Sequence, residues 1–201
     1  MNASAGMRSP DGEHIICSRS GGAHAASTVE IGSNSGHNQA LQAVIPIMKL
    51  AFEDFKPGPF GTFGPRHVTR EEIIAFATEF DPQPMHLDEG AAKKSMLKGL
   101  AGSGWHMTAL MMRMMYDGYL HRTLSMGAPG VDEVKWLAPF RPGDDLTLTV
   151  EVMGTRPSQS RPDMGFVTFK CSVSNAAGLA LAEMTAPLMI QRRNAAAANQ
   201  A

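Results

Sequence analysis

The sequence is poor in cysteine, in charge and in long apolar runs, and each shortage excludes a class of protein. Only two cysteines, Cys17 and Cys171, occur in 201 residues. They lie far apart, so no structural disulfide is expected and a reducing, cytoplasmic compartment fits. Charged residues make up 18% of the chain and the net charge is −1, which gives no support for binding to nucleic acid or a membrane surface. No apolar run approaches the roughly 20 residues of a membrane-spanning helix.

The two ends of the chain differ in composition from the middle. Residues 1–47 are rich in Ser, Gly, Ala, Asn and His and have almost no apolar periodicity, which predicts a disordered extension. The segment that begins at Met48 resembles a natural start, so the extension is also a candidate for a misassigned start. Residues 194–201 form an Ala/Asn/Gln tail that is expected to be flexible. One domain is therefore predicted over residues 48–193.

The first half of this domain is predicted to be helical. Thr69 and Glu72 match a capping box ahead of an apolar stripe, which predicts a helix over 70–79. Asp88 is a predicted N-cap for a short helix through Lys94. A long, buried helix is predicted over 105–119 from apolar residues at helical spacing: Met107, Leu110, Met111, Met114 and Met115. Methionines also make a compliant wall that suits an acyl chain.

The second half of the domain shows the alternation of strands. Strands are predicted over 131–137, 146–152, 166–173 and 179–191, with a hairpin turn at 175–178. A short strand is also predicted over 63–68, after an irregular lead-in over 52–62 that holds a short strand at most. A helical first half followed by consecutive antiparallel strands predicts an α+β domain in which a sheet wraps one long central helix.

The segment between the first two predicted helices carries the residues with acid–base chemistry. Pro82 and Pro84 lack a backbone N–H and fix φ, so this segment is predicted to be a stiff, non-helical loop. The loop places Asp81 and His86 five residues apart, over one small volume. Such a pair suits general acid–base catalysis, in which one group takes a proton while the other gives one. The alternative is a proline-rich connector whose Asp and His only cap the chain or face solvent.

Motifs for other chemistries are missing. The glycine-rich segment 99–104 lacks the G-x-G-x-x-G spacing of dinucleotide-binding loops. The sequence contains no C-x-x-C, H-E-x-x-H or G-x-S-x-G motif, so zinc sites and serine nucleophiles have no support.

The run from Asp81 to His86, D-P-Q-P-M-H, resembles the D-x-N-P-x-H signature of MaoC-like dehydratases, the (R)-specific enoyl-CoA hydratase (hydratase 2) family. Gly104 follows His86 by 18 residues, as in that family, and the run over 131–144 resembles its strand-turn-strand block. The similarity extends over 52–193. It implies a single hot-dog domain, an antiparallel sheet wrapped around a long helix.

The resemblance also implies a reaction and a site. Asp81 and His86 fall on the catalytic pair, Gly104 on the oxyanion-hole position, and Gln83 on a substrate-positioning amide that is usually Asn. The implied activity is reversible hydration of a 2-enoyl thioester, carried by CoA or acyl carrier protein, with no cofactor and no metal. Sheet edges in hot-dog proteins usually pair, which implies a homodimer. The CoA phosphates need a basic handle, for which the candidates are Arg66, Arg141, Arg156 and Arg161, although each alone is more often a solvated charge.

Two other functions remain open for the same scaffold. A hot-dog acyl-CoA thioesterase would use a carboxylate to attack the carbonyl or to activate water there. A non-catalytic acyl-CoA-binding subunit would need no acid–base pair, and the replacement of Asn by Gln83 favours this alternative.

Overall fold

The computed structural model describes residues 49–193, so the expected disordered extension 1–47 and the tail 194–201 lie outside the described residues. Four α-helices and five strands occur in this part of the chain, together with 3-10 turns at Phe52–Asp54 and Leu120–Arg122. The helices are α1 Arg70–Phe80, α2 Pro84–Leu87, α3 Glu89–Lys94 and α4 Gly104–Gly118. The strands are β1 Gly58–His67, β2 Glu133–Trp136, β3 Asp145–Pro157, β4 Met164–Asn175 and β5 Ala180–Gln191.

All five strands belong to one antiparallel sheet with the order β1-β3-β4-β5-β2. The three central strands follow each other along the chain, as their alternating sequences predict. Cys171 pairs with Val150 on one side and with Met184 on the other, and all three are buried on the same face. The turn between β4 and β5 forms as predicted, because the Asn175 side chain accepts hydrogen bonds from the backbone N–H groups of Ala177 and Leu179.

Helix α4 supplies the apolar face that this sheet covers. Its five predicted core positions are all at most 4% exposed, and they pack with buried side chains of β3, β4 and β5 in one cluster. Truncating one such buried methionine to alanine costs about 2–5 kcal/mol of stability. The sheet wrapped around one long helix confirms the α+β hot-dog architecture. None of the helices within 49–193 is long and apolar enough to cross a membrane.

The first strand is longer than its sequence predicts. Strand β1 begins at Gly58, inside the segment expected to be an irregular lead-in, and it includes Pro59 and Pro65. Prolines are tolerated here because β1 pairs only with β3 and lies at the edge of the sheet. Register shifts on both sides of Gly61–Phe63 absorb the resulting irregularities.

One half of the predicted capping box is wrong. Helix α1 begins as expected, since the Thr69 hydroxyl accepts a hydrogen bond from the N–H of Glu72. The Glu72 carboxylate does not reach back to the N-cap, however, and binds the Arg66 guanidinium instead. It also lies 3.8 Å from Nε2 of the buried His106, whose pKa is held below its ordinary value by burial.

Candidate active site

The chain from Asp81 to His86 is a short bend that ends in one helical turn. Asp81 ends α1, and its N–H donates to the Ala77 carbonyl. Gln83 is extended, as the proline that follows it requires, but α2 (Pro84–Leu87) is a turn of helix. The expectation of a wholly non-helical loop is therefore wrong. Pro84 occupies the first position of α2, where a missing N–H costs nothing and its fixed φ suits a helix.

His86 is buried and its ring orientation is fixed by the backbone. Its side chain is 7% exposed, and Nδ1 lies 2.8 Å from the carbonyl oxygen of Ala101. Because a carbonyl can only accept, Nδ1 carries the proton, and in the neutral ring Nε2 is left as an acceptor. Nε2 lies 3.6 Å from Oδ2 of Asp81, which is longer than a hydrogen bond. The two predicted acid–base groups thus face each other.

The Asp81 carboxylate is held by two neighbouring side chains. The Gln83 amide donates to Oδ1 at 2.8 Å. The pKa of Asp81 lies below its ordinary value chiefly because the Ser103 hydroxyl donates to the carboxylate, with further lowering from Gln83 and from the charge of His86. Partial burial acts in the opposite direction. Asp81 is therefore an anion at neutral pH, and Gln83 contacts this anion.

Ser103 connects this carboxylate to the start of α4. It is the N-cap of the helix, and its Oγ accepts a hydrogen bond from the N–H of Trp105 at 3.2 Å. Ser103 is only 1% exposed, and its hydroxyl is also the main cause of the lowered pKa of Asp81. Asp81 consequently lies at the positive end of the α4 dipole.

Gly104 is the first residue of α4, and its N–H donates to no atom of residues 49–193. A glycine at an oxyanion-hole position would let a substrate approach the backbone closely. The structure gives a different steric reason. A Cβ on Gly104 would overlap Cδ2 of Trp136 and lie 2.6 Å and 2.8 Å from two further indole atoms. The N–H of Gly104 is free to bind a substrate, but the space beside its Cα is filled by the Trp136 indole.

A cavity of about 230 Å³ opens beside His86 and Gly104. Its other walls are almost entirely apolar and come from Met85, Leu97, Gly102, Met107, Trp136, Leu137, Ala138, Pro139, Phe140 and Leu181. Of the five core methionine and leucine positions of α4, only Met107 reaches this cavity. The expected methionine wall is thus mainly core, and the cavity owes its apolar character to the segment 136–140 instead.

The four arginines expected as candidates for CoA phosphates all contact other parts of the chain. Arg141 donates to the carbonyls of Leu97 and Leu100 and so holds the loop that leads to Ala101. Arg66 pairs with Glu72 and Arg161 with Asp163. Arg156 lies over the ring of Phe166, 4.0 Å from its centroid.

Three contributors to the site were not predicted from the sequence: the Ala101 carbonyl, the Ser103 hydroxyl and the Trp136 indole. A signal existed only for Ser103, because serine directly before a helical stripe is a preferred N-cap. The contacts of the Ala101 carbonyl and the Trp136 indole depend on the packing of segments that are distant in sequence, so no local sequence pattern predicts them.

The fold and this pair of facing acid–base groups define a hot-dog protein with a polar site at the tip of its central helix. Residues 57–174 match the model of the MaoC-like domain, and the chain belongs to that family. It is similar to the solved MaoC-like dehydratase of Rhodospirillum rubrum, with 39% identity over 72% of this chain and 98% of that one and a TM-score of 0.65.

Two further similarities concern proteins with named activities. The (R)-specific enoyl-CoA hydratase of R. rubrum is 29% identical over 71% of this chain and 92% of its own length. The solved R-hydratase of Pseudomonas aeruginosa is 20% identical, with 72% of this chain and 88% of that one covered and a TM-score of 0.60. The second likeness shows the shared fold.

Proposed function

We propose that this protein is a hydro-lyase that reversibly adds water to a 2-enoyl thioester and forms a 3-hydroxyacyl thioester. The observation that carries the proposal is the position of Asp81 and His86, with Nε2 and Oδ2 3.6 Å apart and with His86 in the wall of an apolar cavity. Membership of the MaoC-like family and the similarity to a named enoyl-CoA hydratase support it.

In this proposal, the Asp–His pair acts on one water molecule. The deprotonated Nε2 and the carboxylate both accept hydrogen bonds, so a single water can donate one to each. As the water oxygen bonds to C3, the pair takes a proton, and the π electrons of the double bond move toward the thioester oxygen. Return of a proton to C2 completes the addition. Because the two groups interact, the pair titrates as a unit, and acid and base roles belong to the pair.

The Gly104 amide is proposed to stabilise the charge that develops on the thioester oxygen. Its N–H is unpaired within the described part of the chain and lies at the N-terminus of the 15-residue helix α4. Backbone donors and the helix dipole both favour negative charge at this point. Loss of one such donor costs about 3 kcal/mol of transition-state stabilisation in comparable enzymes.

Gln83 is proposed to position the reactants through Asp81, since its amide binds that carboxylate. The cavity of about 230 Å³ is smaller than a typical drug-sized pocket of roughly 300 Å³ or more, so it favours a short acyl group. Hydration involves no redox change and the proton transfers are assigned to side chains, so the proposal calls for no cofactor. The proposed substrate is a thioester of CoA or of acyl carrier protein, and the proposed location of the reaction is the cytoplasm.

The proposal is tested by incubating the purified full chain with a series of 2-enoyl-CoA thioesters of increasing length. We expect loss of the conjugated-thioester absorbance and formation of one 3-hydroxyacyl-CoA enantiomer, fastest for short chains. Thioester hydrolysis would remove this absorbance too, so release of free thiol together with the unsaturated free acid would identify a thioesterase. Binding without any reaction of all thioesters would identify an acyl-CoA-binding subunit.

Removal of the Ser103 hydroxyl is expected to shift the pH dependence of the reaction. Ser103→Ala removes the main cause of the lowered Asp81 pKa, so that pKa rises toward its ordinary value. If the reaction requires the ionised Asp81 carboxylate, the acidic limb of kcat/KM moves to higher pH. The lost N-cap also costs about 0.5–2 kcal/mol of stability. The profile is measured by steady-state kinetics across the acidic range.

Thr69→Ala is the matched control for Ser103→Ala, because Thr69 caps α1 through the same kind of hydrogen bond but does not contact Asp81. We expect it to lose similar stability without moving the acidic limb. An unshifted limb in Ser103→Ala, or an equal shift in both variants, would contradict the assigned role of the Ser103 hydroxyl.

A homodimer formed through the outer side of β2 and α4 is also proposed. Strand β2 pairs only with β5, which leaves its other edge open among the described strands, whereas the β1 edge is blunted by Pro59 and Pro65. Beside β2, α4 exposes Trp105, Met112 and Tyr116 by 63%, 49% and 51%. An apolar stripe of this kind next to a free strand edge is typical of an interface.

Met112→Glu is expected to convert the dimer to a monomer, because it places a charge at the centre of the exposed stripe. Sedimentation velocity of the full chain measures the change. Met153→Glu is the control, since Met153 is 53% exposed on β3, away from this face. A monomeric parent protein, or a dimer that tolerates Met112→Glu, would refute the interface.

A further inference from the structure

The Gly104 N–H has no hydrogen-bond partner within residues 49–193, but it shares a peptide plane with the Ser103 carbonyl, which accepts the N–H of Met107 at 3.1 Å. Its direction therefore follows the position of the first turn of α4. The indole of Trp136 occupies the space beside the Gly104 Cα, with two of its ring atoms 2.6 Å and 2.8 Å from the position of an ideal Cβ. Trp136 comes from β2, far along the chain, where it pairs with Ala182 of β5. The first turn of α4 therefore packs against Trp136, whose backbone is fixed by its pairing in the sheet.

A chain of hydrogen bonds connects the same indole to the other side of Gly104. Nε1 of Trp136 donates to Oγ1 of Thr108 at 3.2 Å. The Thr108 hydroxyl in turn donates to the carbonyl oxygen of Gly104 at 3.1 Å. Trp136 therefore contacts the residue at Cα by packing and at its carbonyl through Thr108, and neither contact uses the N–H.

Trp136 also lines the cavity together with His86 and Gly104. Half of the side chain is exposed, at 49%, so burial alone does not account for its placement. Trp136 thus contacts Gly104, lines the cavity and belongs to β2 at the same time.

We propose that Trp136, with Thr108, is a positioning residue that aims the Gly104 N–H at the substrate carbonyl oxygen. The proposal rests on the proposed function, because the aim of this amide matters only if charge develops on an acyl oxygen there. Misplacement of a catalytic group by about 1 Å costs on the order of 100-fold in rate. Partial loosening of the first turn is therefore expected to lower kcat measurably while substrate binding persists.

The test compares Trp136→Phe and Thr108→Val with the parent protein in steady-state hydration of crotonyl-CoA. Trp136→Phe keeps an aromatic ring on Gly104 but loses the Nε1–H, and Thr108→Val loses the relay hydroxyl at nearly constant volume. We expect each to lower kcat about tenfold with KM changed less than twofold. Binding of the thioether analogue of crotonyl-CoA, which has no carbonyl oxygen, is expected to stay within twofold.

Thr78→Val is the control of matched chemistry, since it removes the same kind of helix hydroxyl, one that donates to the carbonyl four residues back (Ile74) from an exposed position on α1. We expect its kcat to stay within twofold of the parent. An unchanged kcat in both Trp136→Phe and Thr108→Val would overturn the proposal. A raised KM and weaker analogue binding at constant kcat would overturn it too, because they would make Trp136 only a wall of the cavity.

A second measurement tests the contact between Gly104 and Trp136 through thermal stability, independently of catalytic activity. Gly104→Ala is expected to lower the melting temperature in the parent background, because its methyl group meets the indole, and to have a much smaller effect in a Trp136→Ala background. Equal effects in both backgrounds would show that the indole does not confine Gly104, and the proposal would fail. A parent protein that hydrates no enoyl thioester would refute the proposed function instead, whatever the outcome of this thermal cycle.

Discussion

Asp81→Asn is expected to lower kcat/KM for hydration of a 2-enoyl thioester by about 100- to 10,000-fold, the contribution typical of one general acid or base. The Asp81 carboxylate lies 3.6 Å from Nε2 of His86, and an amide at that place can neither take nor return a proton. The fold is expected to persist, because the Asn oxygen can still accept the hydrogen bond from the Gln83 amide. Steady-state kinetics and a thermal melt measure the two effects.

Asp117→Asn is the matched control, since Asp117 forms an exposed ion pair with Arg113 on α4 and is 50% exposed. Its activity is expected to equal that of the parent protein. We also expect His86→Gln to lower the rate into the same range and the double variant to be little worse than either single one, because the effects of residues that act as a unit are non-additive. Asp81→Asn with more than half of the parent activity would disprove the assignment of the pair.

Gly102→Ala is expected to have the largest effect on stability among single methyl additions in the site. Its Cβ would overlap Cζ of Phe140 and lie 2.5 Å from two further ring atoms. Phe140 is only 2% exposed, and its carbonyl accepts the N–H of Gly102 at 3.1 Å, so neither residue can move aside alone. Overpacking of this kind costs about 1–3 kcal/mol, which lowers the melting temperature by several degrees in a domain of this size.

The same change is expected to lower activity, because Gly102 and Phe140 both line the cavity beside His86. Gly154→Ala serves as the control: a Cβ there meets nothing within 4 Å. Thermal melts and hydration rates of the two variants are compared side by side. Equal melting temperatures would show that Phe140 relaxes freely and that the wall of the cavity is not close-packed.

Local sequence patterns predicted the parts of the fold that local forces determine. The caps at Thr69 and Asp88, the hairpin turn at Asn175 and the apolar stripe of α4 each follow from neighbours a few residues away. The missed helical turn α2 shows the limit of such reasoning. Pro84 breaks a helix from within but starts one at its first position, and the sequence does not reveal which position it takes.

The site was predictable as a motif but not as a set of contacts. The spacing of Asp81 and His86 indicated an acid–base pair, and the structure places them face to face. The tautomer of His86 depends on the Ala101 carbonyl, 15 residues away. The fit of Gly104 depends on Trp136. Such contacts arise when separate segments pack together, so they have no signature in any one segment.

Product analysis in isotope-labelled water tests the central claim most directly. The purified protein is incubated with a short 2-enoyl-CoA in water that carries heavy oxygen, and the products are analysed by mass spectrometry. We expect that one heavy oxygen appears on C3 of an intact 3-hydroxyacyl-CoA, and that Asp81→Asn lowers the initial rate of this incorporation at least about 100-fold. Heavy oxygen in a free carboxylic acid, with release of CoA, would contradict this claim.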